Sequence, residues 1–347
     1  MNYEDLVEFD TKLTADVVDW RPVYNQTTNS NILACATYYL DKELNKRSGC
    51  IYLLNFSTEK HMLDKLSTVH FDASGILDLK WINENNLITV DSDNHLKLFE
   101  LDENKSELNL IDELGINTEN SSIGLTVDYI SKTDRLKILS SDTLGYLNLT
   151  RIDNQKFELE KSFKAHDYEV WSVLIDRNEE NVLYSGADDC LLKMWDLRQS
   201  ESRPANKCSL FQGGICSILL PQKRDLSYFS GYTSDQILCS SYDEQIYVLD
   251  KRNMKDYVKK SAKLGGGVWK MKINEEKILI LCACMHTGVH LVDLDGLKSQ
   301  LYYDKHGLNN LAYGCDWMGL YPNKQSHDFI ATCSFYNHSL RIWKVVY

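Results

Sequence analysis

The chain has 347 residues but only 4 prolines and 17 glycines, too few for long unstructured linkers. No run of about 18 apolar residues occurs, so no membrane-spanning helix is expected. The first ten residues, MNYEDLVEFD, are acidic; they lack the basic-then-apolar pattern of a secretory leader, and none is expected. Ten cysteines are present without one C-x-x-C pair. Zinc-type pairing is therefore missing, and free thiols in a reducing compartment are expected. Also absent are G-x-S-x-G, H-E-x-x-H, a P-loop and G-x-G-x-x-G leading into a helix, which removes the generic enzyme signatures. Positive charge is scarce: 38 Lys and Arg stand against 50 Asp and Glu, a net charge of −12. Nucleic acid is disfavoured as a partner, and a basic protein or cationic ligand suits this surface better.

What is present is ordinary in bulk, 43% hydrophobic and 25% charged, and repetitive in order. The clearest unit, AHDYEVWSVLIDRNEENVLYSGADDCLLKMWDLR, runs from Ala165 to Arg198. It holds a histidine, a strand EVWSVLI, a strand VLYSGAD, a tight turn and a strand LLKMWDL ending in Trp-Asp, which is the WD-repeat signature. Weaker units end at Asp250, Asp293 and Lys344, and three more precede residue 165. About seven units of this kind predict an all-β, seven-bladed WD-repeat β-propeller, a single domain over 1–347. The last unit stops after its third strand, near Val346. Residues 3–10 could supply the missing outer strand and close the ring, removing an open edge. The alternative is two separate β domains.

Within the clearest unit, His166, Ser185, Asp189 and Trp195 stand where WD repeats place a buried hydrogen-bonded tetrad, a structural role. Counting back from the end of the third strand, the Ser185 position becomes Cys239, Cys282 and Cys333 in the following units and Cys35 in the first. A small, weakly polar group packs there in place of serine. That explains Cys282 without a zinc site on Cys282, Cys284 and His286, so neither metal nor cofactor is expected. The Asp189 position becomes Asp243, His286 and Asn337, and in the sixth unit glycines of LGGGVW stand at the His166 position. His286 is thereby released from tetrad duty, although it could still be a satisfied structural histidine.

The residue just inside the first strand of each unit is expected to point to the channel mouth: Asp16, Leu77, Leu125, Trp171, Cys216, Trp269 and Tyr313. Three aromatics and a carboxylate there suit an extended basic peptide or a quaternary ammonium group, which aromatic faces attract; packing is the equal alternative. The glycine run permits close approach of a ligand to backbone N–H groups.

The irregular parts of the repeats carry a more specific likeness. LTADVVDW with LACATY (Leu13–Tyr38), SYDEQIYVLDKRNM (Ser241–Met254), LGGGVWKMK (Leu264–Lys272), ACMHTG (Ala283–Gly288), YGCDW (Tyr313–Trp317) and ATCSFYNHSLRIW (Ala331–Trp343) together resemble the diphthine methylesterase family. These are WD-repeat proteins of diphthamide biosynthesis, also labelled diphthine methyltransferase. Asn337 departs from the family, whose last motif usually carries Asp there. The resemblance implies hydrolysis of a methyl ester on the modified histidine of translation elongation factor 2, releasing methanol. That intermediate also bears a trimethylammonium group, a candidate for the aromatic rim (Trp171, Trp269, Tyr313, with Asp16). Two mechanisms stay open. In one, His286 is general base toward water, with Gly266 and Gly267 N–H groups as an oxyanion site. In the other, Ser334 or Cys284 is a nucleophile activated by His338 or His286. The competing class is a non-catalytic scaffold, with which an endosomal recycling role would fit. A cytoplasmic monomer without membrane insertion is expected.

Overall fold

The computed structural model describes residues 1–22, 31–116, 121–132, 135–199, 203–221, 233–319 and 326–347, and every regular element among them is a strand. The strands form seven antiparallel sheets arranged as blades around a channel. Residues 15–71 build blade 1, 76–115 blade 2, 124–164 blade 3, 170–208 blade 4, 215–260 blade 5, 268–303 blade 6 and 312–346 most of blade 7. This is the seven-bladed propeller that the repeats predict.

Hydrophobic patterning places each strand within its blade. The second strand of blade 1, NILACAT (Asn31–Thr37), is buried at all seven positions, as expected of a strand covered on both faces. The outermost strand of blade 3, KFELEKSFK (Lys156–Lys164), buries only Phe157 and leaves its charges in water. Apolar side chains meet between adjacent blades. Trp20 and Phe56 of blade 1 pack with Phe329 and Ile342 of blade 7, and the Phe56 and Phe329 rings lie 5.3 Å apart.

Blade 7 is completed by the N-terminal strand Asn2–Asp10, which pairs antiparallel with Ser339–Val346. Tyr3 packs edge-on against Tyr303 at 5.1 Å and Trp343 at 6.2 Å. Arg341 reaches Asp5 and Glu8, each at 2.7 Å, and Lys344 reaches Glu4 at 2.7 Å. Exposed ion pairs of this kind contribute about 0–1 kcal/mol each, so strand pairing and aromatic packing dominate the closure.

One irregularity recurs in every blade. The register between first and second strands slips near the start of the first strand: between Ala15 and Val17, Ile76 and Asp78, Gly124 and Thr126, Val170 and Ser172, Ile215 and Ser217, Val268 and Lys270, and Ala312 and Cys315. A bulge leaves its extra residue unpaired and re-aims that side chain. In this ring the re-aimed side chains turn toward the channel.

Candidate functional site

The residues skipped at those seven slips include Asp16, Leu77, Leu125, Trp171, Cys216, Trp269 and Tyr313, and all seven line one chamber of about 260 Å³ at the channel mouth. Tyr38 and Phe335 add to its wall. The aromatics form a continuous arc. Trp171 and Trp269 have ring centres 5.0 Å apart, Trp269 stacks on Tyr313 at 4.9 Å and 20°, and Tyr313 meets Phe335 at 5.1 Å. The Trp171 indole N–H donates to Asp188 Oδ1 at 2.8 Å, which fixes its ring. Burial, then the neighbouring Asp16, pushes the Tyr313 hydroxyl well above the usual range, so it stays protonated.

Charge closes the chamber below. Lys270 Nζ donates to Asp78 Oδ1 at 3.1 Å, while Asp78 Oδ2 accepts from Thr126 Oγ1 at 2.8 Å and Val127 N at 3.1 Å. Burial works to raise the Asp78 carboxyl, but Lys270, Lys80 and these hydrogen bonds outweigh it and hold it below its ordinary value. Beyond this bridge lies a second cavity, of about 330 Å³, lined by Lys80, Asp128, Arg177, Lys270 and Lys272. There Asp128 pairs with Lys80 at 2.9 Å and Arg177 at 2.8 Å. Lys272 reaches Asp19 at 2.8 Å and Asp316 at 3.1 Å.

Asp16 differs from these carboxylates. It stands half-buried on the aromatic chamber wall, and among the described residues no hydrogen bond or ion pair holds its carboxyl group. Burial, then like charge from Asp78, lifts its carboxyl to about 8, with Lys270 opposing only in part. Such a group is mostly protonated at neutral pH and poised to exchange its proton.

His286 sits at the rim and outside the chamber wall. It is half-buried, and its Nε2 lies 3.4 Å from the Tyr242 hydroxyl. Tyr242 in turn packs on the glycine run: a Cβ on Gly267 would stand 2.9 Å from Tyr242 Cδ2, and one on Gly266 2.8 Å from the Cys284 carbonyl oxygen. Close packing accounts for these glycines, both of which are buried.

Two proposed nucleophiles are misplaced for that role. Cys284 is 0% exposed within an apolar cluster, and burial raises its thiol far from the reactive thiolate. Ser334 is also 0% exposed; its hydroxyl bonds His306 Nδ1 at 2.7 Å and donates to Asn337 Oδ1. The imidazole beside it is thus His306. His338 occupies the hairpin turn, where its carbonyl oxygen accepts from Thr11 N at 2.9 Å and Thr11 Oγ1 at 3.0 Å.

The buried polar braces show where counting along the repeat fails. In blade 4, His166 Nδ1 meets Asp189 at 2.8 Å, His166 Nε2 meets Ser185 at 2.7 Å, and Trp195 Nε1 donates to Ser185 at 2.9 Å. In blade 7, His306 Nε2 meets Thr332 Oγ1 at 2.8 Å and Trp343 Nε1 donates to the same hydroxyl at 3.2 Å. Thr332, not Cys333, therefore occupies the Ser185 position. The intervening hairpin is one residue longer: Cys333 pairs with Leu340 where Gly186 pairs with Leu192. Counting across it slipped by one, and His306, six residues before its first strand, went unnoticed. In blade 5 the Tyr247 hydroxyl, bonded to Asp243 at 2.8 Å, takes the place of the histidine. Asp78 and Lys270 were also missed, although each directly follows a rim residue and the same alignment would have exposed them.

Residues 157–196 match the WD domain, G-beta repeat family. The chain is similar to the diphthine methyltransferase homolog of Dictyostelium discoideum, 29% identical over 95% of this chain and 96% of that protein. It is likewise similar to diphthine methyltransferase of Mus musculus, 29% identical over 90% of this chain and 69% of that protein. A chain in the crystal structure of the mitotic checkpoint complex superposes with a TM-score of 0.71 at 12% identity, covering 100% of this chain and 93% of that one; this shows the shared propeller alone. The likeness carried by the irregular blades is thus not confined to a few motifs: over nine-tenths or more of its length this chain is similar to proteins named diphthine methyltransferase.

Proposed function

We propose that this chain acts in diphthamide biosynthesis as a methylesterase, hydrolysing the methyl ester of an over-methylated diphthine on elongation factor 2. The supporting observation is the aromatic arc of Trp171, Trp269 and Tyr313 beside Asp16 in one chamber. A trimethylammonium group has no N–H to donate, so recognition falls to aromatic faces and a nearby carboxylate, each ring contributing about 0.5–2 kcal/mol. With that group seated, the adjacent ester is held at the mouth and shielded from bulk water. Attack by water on the ester carbonyl and departure of methanol then require a proton acceptor for the water and a donor for the methoxide. Two side chains could supply these roles: Asp16 on the wall and His286, which meets the Tyr242 hydroxyl outside it. Exposed Tyr168, Tyr242 and Tyr336 stand at the same end of the ring and offer the protein substrate the kind of aromatic surface common in interfaces.

The decisive experiment measures methanol released from methyl-ester-bearing elongation factor by substoichiometric amounts of the purified chain. Many turnovers per chain are expected. A scaffold would release none unless another enzyme were added, and that result would reject the reading. Replacing His286 by Gln tests the rim histidine separately: near-normal turnover would eliminate it as the base.

A further inference from the structure

We propose that Asp16 is the catalytic acid–base of the chamber, switched into its reactive form by the quaternary ammonium group of the ligand itself. The inference rests on the chamber reading above and assigns its proton chemistry.

Four observations carry it. Among the seven re-aimed rim residues, Asp16 is the only carboxylate. The other channel carboxylates, Asp19, Asp78, Asp128 and Asp316, are each tied to a lysine or arginine, whereas among the described residues no side chain or backbone N–H holds the Asp16 carboxyl. Leaving a carboxyl without a partner in an apolar pocket disfavours its charged form, and such groups concentrate at functional sites. Finally, the neighbouring wall is the aromatic arc, which attracts a cation without neutralising it.

The groups facing Asp16 set its behaviour. Asp78, from the first strand of blade 2, disfavours its ionisation, and Lys270, from the first strand of blade 6, favours it. Tyr313 and Cys333 of blade 7 are neutral neighbours, both pushed upward with burial as the leading cause. In the free protein Asp16 is therefore mostly the neutral acid at pH 7. A quaternary ammonium ion on the arc adds a positive charge with no proton of its own and stabilises the carboxylate. Binding then expels a proton to solvent and leaves a base beside the ester.

The cycle balances. As water oxygen bonds to the ester carbonyl carbon, Asp16 carboxylate takes the water proton and the carbonyl π pair moves to oxygen. When the tetrahedral intermediate collapses, the bond to methoxide breaks and Asp16 returns that proton to it. Methanol leaves and the product carboxylic acid ionises to solvent; Asp16 stays a carboxylate while the product's quaternary ammonium group remains on the arc, and takes a proton back from solvent when that product dissociates.

The test uses tetramethylammonium chloride as probe and calorimetry in buffers of different ionisation enthalpy. Wild-type protein is expected to release close to one proton per cation bound at pH 7. Affinity should rise by up to about tenfold per pH unit below pH 8 and level off above it. Asp16→Asn should bind without proton release and without that pH dependence, while Asp16→Glu should retain both. Methanol release by Asp16→Asn should fall by about 10²–10⁴-fold, with its thermal midpoint at or above that of wild type. Binding without proton release in wild type, absence of binding, or turnover of Asp16→Asn within a few-fold of wild type each overturns the proposal. A wild-type chain that binds the probe with proton release yet frees no methanol defeats the esterase reading and sustains the proton-coupled cation site.

Discussion

Lys270 and Asp78 belong to blades separated by nearly half the ring, yet the ammonium nitrogen stands 3.1 Å from the carboxylate oxygen. This bridge crosses the channel and separates the aromatic chamber from the charged cavity beneath it. It also supplies the positive charge that partly offsets Asp78 at Asp16.

Lys270→Met should therefore have two effects. Asp78 keeps Thr126 and Val127 but loses the cation across the channel, and breaking such a pair costs about 3–5 kcal/mol when it is fully buried. Lys270 is 24% exposed, so a loss near or below the lower end is expected in denaturant titration. Asp16 should also ionise at higher pH, moving the rising limb of the rate profile upward. Unchanged stability and an unmoved profile would together show the bridge to be idle.

Trp269 occupies the middle of the arc, touching both Trp171 and Tyr313. Trp269→Ala removes one cation-binding face and unmoors two others. Tetramethylammonium affinity should fall by roughly 2–30-fold, the equivalent of about 0.5–2 kcal/mol. Fluorescence quenching of the remaining tryptophans would follow it, and equal affinity in the two proteins would remove the arc as the cation site.

Ser334→Ala and Cys284→Ala should separate structure from chemistry. Without the Ser334 hydroxyl, His306 Nδ1 loses its partner, and an unsatisfied buried group costs about 1–3 kcal/mol. Turnover per folded molecule should stay at the wild-type level in both variants. A hundredfold drop in turnover with the thermal midpoint intact would restore the altered residue as nucleophile.

The protein should lose stability in acid. Burial holds His306 down to about 3, with Arg341 adding to the effect, and holds His290 down to about 4, against an ordinary value near 6.5. Above about pH 6.5 both are neutral, folded or unfolded, and their full contribution is present. As pH falls toward 3, the unfolded chain takes up protons that the folded chain refuses, and stability drops by up to about 1.4 kcal/mol per pH unit for each group. Denaturant midpoints measured between pH 7 and pH 4 should slope accordingly, and His306→Gln should flatten the slope by about one proton. The same slope in that variant would assign the acid loss to other groups.

The ring and its mouth were legible because both follow from period and alignment. Apolar runs such as NILACAT mark strands covered on both faces, and a fixed offset from the first strand picks out Asp16, Trp171, Trp269 and Tyr313, which the bulges turn inward. The interior charges were not legible in the same way. That Lys270 meets Asp78, 192 residues earlier, depends on the diameter of the closed ring, which no local pattern encodes. Ser334 was misread because reactivity depends on burial and on His306, and a one-residue difference in hairpin length concealed their neighbourhood. The contact between His286 and the Tyr242 hydroxyl is likewise a tertiary fact that no local pattern encodes.

Asn2 and Val346 are register partners in the sheet that seals blade 7. Topologically, the propeller therefore has no privileged origin. A short linker joining residues 2 and 346, with a cut made in the exposed hairpin at residues 103–105, would give a circular permutant that visits the same blades in a different order. The chamber should form in that permutant unchanged, because its walls belong to the circle of first strands and not to the order in which the chain supplies them.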